Sequence, residues 1–173
     1  DYPGGTSAIA LDADGNVYVT GTTGSSNFPT TSGAFQTTFA AGPNDIFVTK
    51  INPNGSSLVY STYLGGSLND EGHGITVNGT GHAYVTGLGQ TGFPTTSGAY
   101  STSLTSVGDI IVTKLNPTGS GLEYSTAVPT TSKFGVDVGT AIAVDDSGNA
   151  YVTGAVRGAI GTPGAFQTTY QGG

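Results

Sequence analysis

The chain is predicted to be all-β, with β-propeller-like blades of four antiparallel strands in about two and a half repeats of 65–67 residues. Three features predict this. The block Ala8-Ile-Ala-Leu-Asp-Ala-Asp-Gly-Asn-Val-Tyr-Val-Thr-Gly21 returns at Gly74–Gly87 and at Ala141–Gly154, and self-similarity at such a period marks a repeat architecture. The apolar segments are rich in Val, Ile, Tyr, Phe and Thr and show no 3.6-residue period. Gly/Asn and Pro/Gly clusters punctuate them at turn positions.

Taken in order, Ala8–Leu11 and Val17–Thr20 read as strands joined by the hairpin turn Asp12-Ala-Asp-Gly-Asn16. The long link Thr22–Asn44 follows, and its Ser-Gly-Ala-Phe-Gln stretch is read as one helical turn. Ile46–Ile51 and Leu58–Leu64 are the third and fourth strands, joined by Asn52-Pro-Asn-Gly-Ser56, where Pro pre-sets φ and Gly supplies a positive one. Phe28-Pro-Thr-Thr-Ser-Gly-Ala-Phe35 recurs at Phe93–Tyr100 and, shortened, at Gly161–Phe166. Asp45-Ile-Phe-Val-Thr-Lys-Ile-Asn-Pro-Asn-Gly55 recurs at Asp109–Gly119. The repeats divide as residues 1–73, 74–140 and 141–173, the last with only its first two strands, for about ten strands in all. Each strand carries apolar or small residues on both faces, as a sheet sandwiched between two others requires, and four-stranded sheets repeated around an axis make a β-propeller. Ile9, Leu11, Val17, Val19, Phe47 and Ile51, with Ile75, Val77, Val85, Ile111 and Leu115, are therefore expected to be buried between neighbouring sheets.

Composition excludes several classes. Charged residues are only 9% of the chain, and Gly (30), Thr (28) and Ser (16) supply its polarity. A net charge of −7 with only Lys50, Lys114, Lys133 and Arg157 as bases argues against nucleic acid, which needs clustered cations. Without Cys there are no disulfides or thiolate sites, and no apolar run is long enough for a membrane-spanning helix. With Asp1 first and no signal peptide, the chain is expected to be a processed or excised piece.

The strings Ala8–Gly21, Phe28-Pro-Thr-Thr-Ser-Gly-Ala-Phe-Gln-Thr-Thr38, Asp45–Gly55 and Leu58-Val-Tyr-Ser-Thr-Tyr-Leu-Gly-Gly66 resemble the SBBP repeat, a bacterial β-propeller repeat. The resemblance covers nearly the whole chain. It implies a propeller-like fold in secreted or surface-exposed bacterial or archaeal proteins, often large and multidomain, and it brings no catalytic motif to transfer. Asn78-Gly-Thr-Gly-His82, which loses the acidic residues of the first turn, and Ala127–Val138, which replaces Tyr-Leu-Gly-Gly, depart from the pattern.

Few residues point to chemistry. Asp12 and Asp14, and likewise Asp145 and Asp146, sit in oxygen-rich turns that suit a calcium ion, but the middle turn keeps the glycine and loses the charge, so the hairpin is the favoured reading. No other cofactor is indicated. Gly87-Leu-Gly-Gln-Thr-Gly92 lacks the helix a dinucleotide fingerprint needs. Asp70, Glu71 and His73 form the densest titratable cluster without any nucleophile elbow beside it. Lys50 and Lys114 lie five residues after Asp45 and Asp109, on opposite strand faces, so they are expected at the rim and not paired with them. Asn54 and Asn78 open glycosylation sequons. The leading expectation is a non-catalytic structural or adhesive repeat protein, extracellular or at the cell surface. Its partners would be copies of itself or further repeats of the same chain, within a larger assembly or filament. The alternative is a glycan- or protein-binding module, with Tyr63, Tyr100 and Tyr170 as sugar platforms.

Overall fold

The computed structural model describes residues 7–130, 135–158 and 161–169. Among them lie ten strands and no helix: β1 (Ala8–Leu11), β2 (Val17–Thr23), β3 (Asp45–Ile51), β4 (Leu58–Leu64), β5 (Glu71–Val77), β6 (Ala83–Gly89), β7 (Asp109–Leu115), β8 (Leu122–Val128), β9 (Val138–Val144) and β10 (Ala150–Ala155). They form two four-stranded antiparallel meanders, β1-β2-β3-β4 and β5-β6-β7-β8, and a two-stranded sheet, β9-β10. The sheets stack as blades: β5 lies against β1 and β2, and β9 lies against β5 and β6. Strands β5 and β9 begin at Glu71 and Val138, each three residues ahead of the repeat boundary read from sequence.

Local chemistry explains the hairpins. In the β1–β2 turn the Asp12 carboxylate accepts the backbone N–H groups of Asp14 (3.1 Å) and Asn16 (2.8 Å), while Gly15 takes φ of 80°. Asn78 and Asp145 do the same work in the later repeats. A carboxamide replaces a carboxylate at Asn78 without loss of the turn, because the turn needs an acceptor and not a charge.

The long links are not helical. In the first, Ala34 N–H donates to the Thr31 carbonyl (3.2 Å) and Gly33 adopts φ of 79°, which ends any helical run after one turn residue. The link instead straps the outer edge of its blade. Thr31 N–H donates to the Ser61 carbonyl (3.0 Å), and Tyr63 N–H donates to the Gln36 carbonyl (2.9 Å). The second blade repeats this with Thr96 to Ser125 (3.0 Å) and Ala127 to Ser101 (3.0 Å). The strap therefore consumes the hydrogen bonds that a bare edge strand would offer to another chain.

Burial follows one face at a time. Tyr18, Ile46, Val48, Tyr60 and Leu64 of the first sheet are fully enclosed with Ile75, Ala83, Val85, Ile111 and Leu115 of the second. Of the residues expected in the core, Ile75, Val85, Ile111 and Leu115 are there. Ile9 and Leu11 are not: they are 67% and 65% exposed. Val17, Val19, Phe47, Ile51 and Val77 are half-buried. The reason is register. Ile9 pairs with Val19 and Leu11 with Val17, so these side chains share the face of the first sheet that points away from the second. The β3–β4 side of that face is covered by the strap, which buries Thr49, Ser61 and Tyr63 and sets Phe28 4.7 Å from Phe47 between ring centroids.

Candidate functional site

The feature with most consequence for function is the junction between blades, formed twice by residues at repeat spacing. At the first, Gly72 of β5 sits under Ile46 and Thr20, where a Cβ would come within 2.7 Å of the Ile46 side chain. At the second, Gly139 of β9 sits under Thr86 and Ile110 in the same way. The Tyr18 hydroxyl reaches to 3.4 Å from the Gly81 carbonyl of the next blade, and Tyr84 approaches Gly148 across the second junction. Gly119 lies directly against the Tyr60 ring. Small residues on one sheet and large side chains on the other let the sheets approach closely.

Buried aspartates hold the ends of the blades together, and the sequence did not single out their role. Asp70 and Asp137, one repeat apart, lie just before β5 and β9 and are almost wholly enclosed. Asp70 accepts the N–H groups of Gly66 (2.6 Å) and Gln90 (2.9 Å), while Asp137 accepts Arg157 N–H (2.6 Å) and the Thr130 hydroxyl (2.7 Å). Each thus ties the link from the preceding blade to the residue that leaves the second strand of its own. Desolvation pushes the Asp70 carboxyl up to about 6, against the two N–H donors and with some help from Asp45. Asp45 is also raised by burial, and its Oδ1 has no hydrogen-bond partner. Its Oδ2 accepts Ala40 N–H (2.9 Å) and the Gln36 amide (3.3 Å), so it anchors the strap. The repeat spacing of Asp70 and Asp137 was the signal available in the sequence.

Asp12 and Asp14 meet in one hollow of about 260 Å³ between the turns of the first two blades. Asp145 and Asp146 meet in its counterpart, also about 260 Å³, at the second junction. The Asp12 carboxylate is already engaged by Asn16, the Tyr18 hydroxyl (3.1 Å) and the Lys50 ammonium (3.3 Å). Burial opposes its ionisation, but these donors outweigh it and hold the group at about 2. Asp145 is lowered by the corresponding bonds from Asn149, with Tyr151 contributing. Among the described residues no three His, Cys, Asp or Glu side chains gather as metal ligands.

The remaining candidates separate. His73 pairs with Glu71 (3.2 Å), while Asp70 turns away into the linker. Lys50 lies over the Tyr18 ring at 4.8 Å and Lys114 over Tyr84 at 5.5 Å, both half-buried and pointing back into their own blades. Gly87 and Gly89 are strand residues of β6. Tyr63 is no sugar platform: it is enclosed by Phe28 and Phe39, and its hydroxyl donates to the Ser25 carbonyl (2.7 Å). Tyr100 is 76% exposed, and Tyr170 lies outside the described residues. Asn54 is exposed at the β3–β4 turn, whereas the Asn78 side chain is engaged by Thr80, His82 and Tyr84.

The family model of SBBP, the β-propeller repeat, matches residues 6–29 and 59–94. These two segments are similar to the SBBP repeat. The matched segments contain the β1–β2 and β5–β6 hairpins, strand β4 but for Leu58, the linker with Asp70 and the start of the first two straps. No curated protein matches the chain.

Proposed function

We propose that this chain is a non-catalytic structural or adhesive module of an extracellular or cell-surface protein, and that its end sheets are covered blade on blade by further repeats of the same chain or by copies of it. One observation carries the reading. The face that the second sheet buries at its junction, through Ile75 and Val85, is presented bare by the first sheet at Ile9 and Leu11. At the other end β9 and β10 present Tyr151, 60% exposed, the counterpart of the enclosed Tyr18 and Tyr84. The outer face of the last sheet of one copy thus has the side chains that would cover the first sheet of the next. Such a head-to-tail contact makes a ring where the rotation from blade to blade closes and a filament where it does not. Low charge opposes stacking little.

The titratable side chains support a non-catalytic reading, since Asp12 and Asp145 hold turns, Asp70 and Asp137 hold linkers, and Lys50 and Lys114 pack on tyrosines. Hydroxyl-rich loops and the lack of Cys suit an extracellular setting. Sedimentation velocity over a concentration series tests assembly. The chain is expected to grow in size with concentration, and Ile9→Glu with Leu11→Glu is expected to hold it as a monomer. A wild-type chain that stays monomeric up to about 100 μM, a concentration at which contacts weaker than about 5.5 kcal/mol are lost, would refute stacking of copies.

A further inference from the structure

The chain has two Asn-Gly steps, Asn54-Gly55 and Asn78-Gly79, each followed by a hydroxyl residue, Ser56 or Thr80. Along the chain they are near copies. Asparagine is a thermolabile side chain, and glycine after it leaves the next peptide nitrogen uncrowded. That nitrogen can attack the carboxamide carbon, so the fold decides whether either step reacts.

The fold treats the two differently. Asn78 opens the β5–β6 turn, and its Oδ1 accepts Thr80 N–H (3.1 Å), the Thr80 hydroxyl (2.9 Å) and His82 N–H (3.0 Å). Its Nδ2 donates to the Tyr84 hydroxyl (3.4 Å). These bonds draw the carboxamide forward over the turn and hold it in one orientation. Swinging its carbon onto the Gly79 nitrogen would break them together. Asn54 is the third residue of the Asn52–Gly55 turn between β3 and β4. It is exposed, and its carboxamide has no hydrogen-bond partner among the described residues. The turn is held instead by Asn52, whose Oδ1 accepts Ser56 N–H (2.8 Å) and Ser57 N–H (3.3 Å). The attacking Gly55 nitrogen is engaged by the Asn52 carbonyl (3.0 Å), a single bond at an exposed corner that opens at low cost.

This exposure belongs to the turn and not to the place of the first blade in the chain. Thr118 holds the same corner of the β7–β8 turn, which packs on the preceding blade through Gly119 against the Tyr60 ring. There the glycine is buried and Thr118 is still exposed. A neighbouring blade therefore covers the glycine and leaves the corner side chain in solvent.

We propose that Asn54 is a site of spontaneous deamidation in the folded protein and that Asn78 is protected by its turn. The Gly55 nitrogen loses its proton and bonds to Asn54 Cγ, the Cγ–Nδ2 bond breaks, and ammonia leaves. Water then opens the cyclic imide at either carbonyl carbon, giving aspartate or isoaspartate with no change in oxidation state. Each event adds a negative charge to a chain of net charge −7. The isoaspartate form also adds a methylene to the main chain of the turn.

The test incubates the whole chain in mildly alkaline buffer, folded or unfolded in urea. Both steps are followed by peptide mass mapping and by enzymatic methylation of isoaspartate. In the folded chain Asn54 should be lost roughly tenfold faster than Asn78 or more, since several hydrogen bonds must be given up at Asn78. In urea the two rates should converge, because their neighbours in sequence are alike. Asn54→Thr, which copies the corner of the second blade, should stop most ammonia release from the folded chain. Thr80→Ala, which removes one bond from Asn78, should speed loss at Asn78 and leave Asn54 unchanged. Equal rates in the folded chain, or faster loss at Asn78, would overturn the proposal. So would a difference that persists undiminished in urea, since it would then come from sequence and not from the fold.

Discussion

Ile9 and Ile75 hold the same place in successive repeats, each in the first strand of its blade and each followed two residues later by another aliphatic side chain. Ile9 is 67% exposed and Ile75 is 7% exposed. Nothing local separates them: both strands pair with a Tyr-Val-Thr strand across the same hairpin. The difference lies on the other side of the side chain, where Ile75 meets the preceding sheet and Ile9 meets no sheet among the described residues. Burial in a stacked-blade protein thus belongs to the pair of sheets and not to the strand, and the repeat supplies internal controls in which one sequence is seen in two environments.

The largest effect should come from that pair. Ile75→Ala should cost about 2–5 kcal/mol, the range for truncating an enclosed aliphatic residue, and Ile9→Ala below about 0.5 kcal/mol. Urea unfolding at low protein concentration, where copies do not cover the first sheet, measures both. Equal losses would dissolve the contrast.

The next comparison sets the buried linker carboxylate against the exposed turn carboxylate. Asp70 has its folded-state pKa raised from 3.8 to about 6, so the folded chain holds this proton more tightly than the unfolded one. Its contribution is fully present below about pH 4 and is lost as pH rises through 6, a change of about 3 kcal/mol if it acted alone. Asp12 runs the other way. Its pKa is depressed to about 2, so its contribution is present above about pH 4 and is lost as pH falls. From these two groups stability should therefore peak near pH 4 and decline toward neutrality. Asp70→Asn should flatten the neutral limb and Asp12→Asn the acid limb, read from thermal midpoints at a series of pH values.

A smaller effect tests the junction itself. Gly55 and Gly119 stand in equivalent turns with the same φ of 66°, but a Cβ on Gly55 meets nothing, whereas one on Gly119 would lie 2.4 Å from the Tyr60 ring. Alanine at either site carries the same left-handed backbone penalty of about 1–2 kcal/mol. Gly119→Ala should cost about 1–3 kcal/mol more, the ordinary penalty of overpacking, and the excess should vanish in a Tyr60→Ala background.

Much of this architecture was legible beforehand because its causes are local. A hairpin needs an acceptor at its first turn residue and a glycine three residues on, and Asp12 with Gly15, Asn78 with Gly81 and Asp145 with Gly148 state that within a few positions. The strand Leu58–Leu64 and the Pro-Gly turn before it were readable for the same reason. The strap was visible as a recurring string but not as an edge cover. Its partners Ser61 and Tyr63 lie about 30 residues away, and its hydrogen bonds are mostly made by main chain, which any sequence can offer.

By itself, then, the sequence determined the repeat, the strand order within a blade and the turn chemistry, all set by neighbours along the chain. Only the tertiary structure decided which apolar face is enclosed, that Tyr63 is a core residue, and that Asp70 and Asp137 are linker clasps. The physical reason is the period of a β-strand. Alternation assigns side chains to two faces, but when both faces are apolar it cannot say which will meet another sheet, because that partner lies a full repeat away.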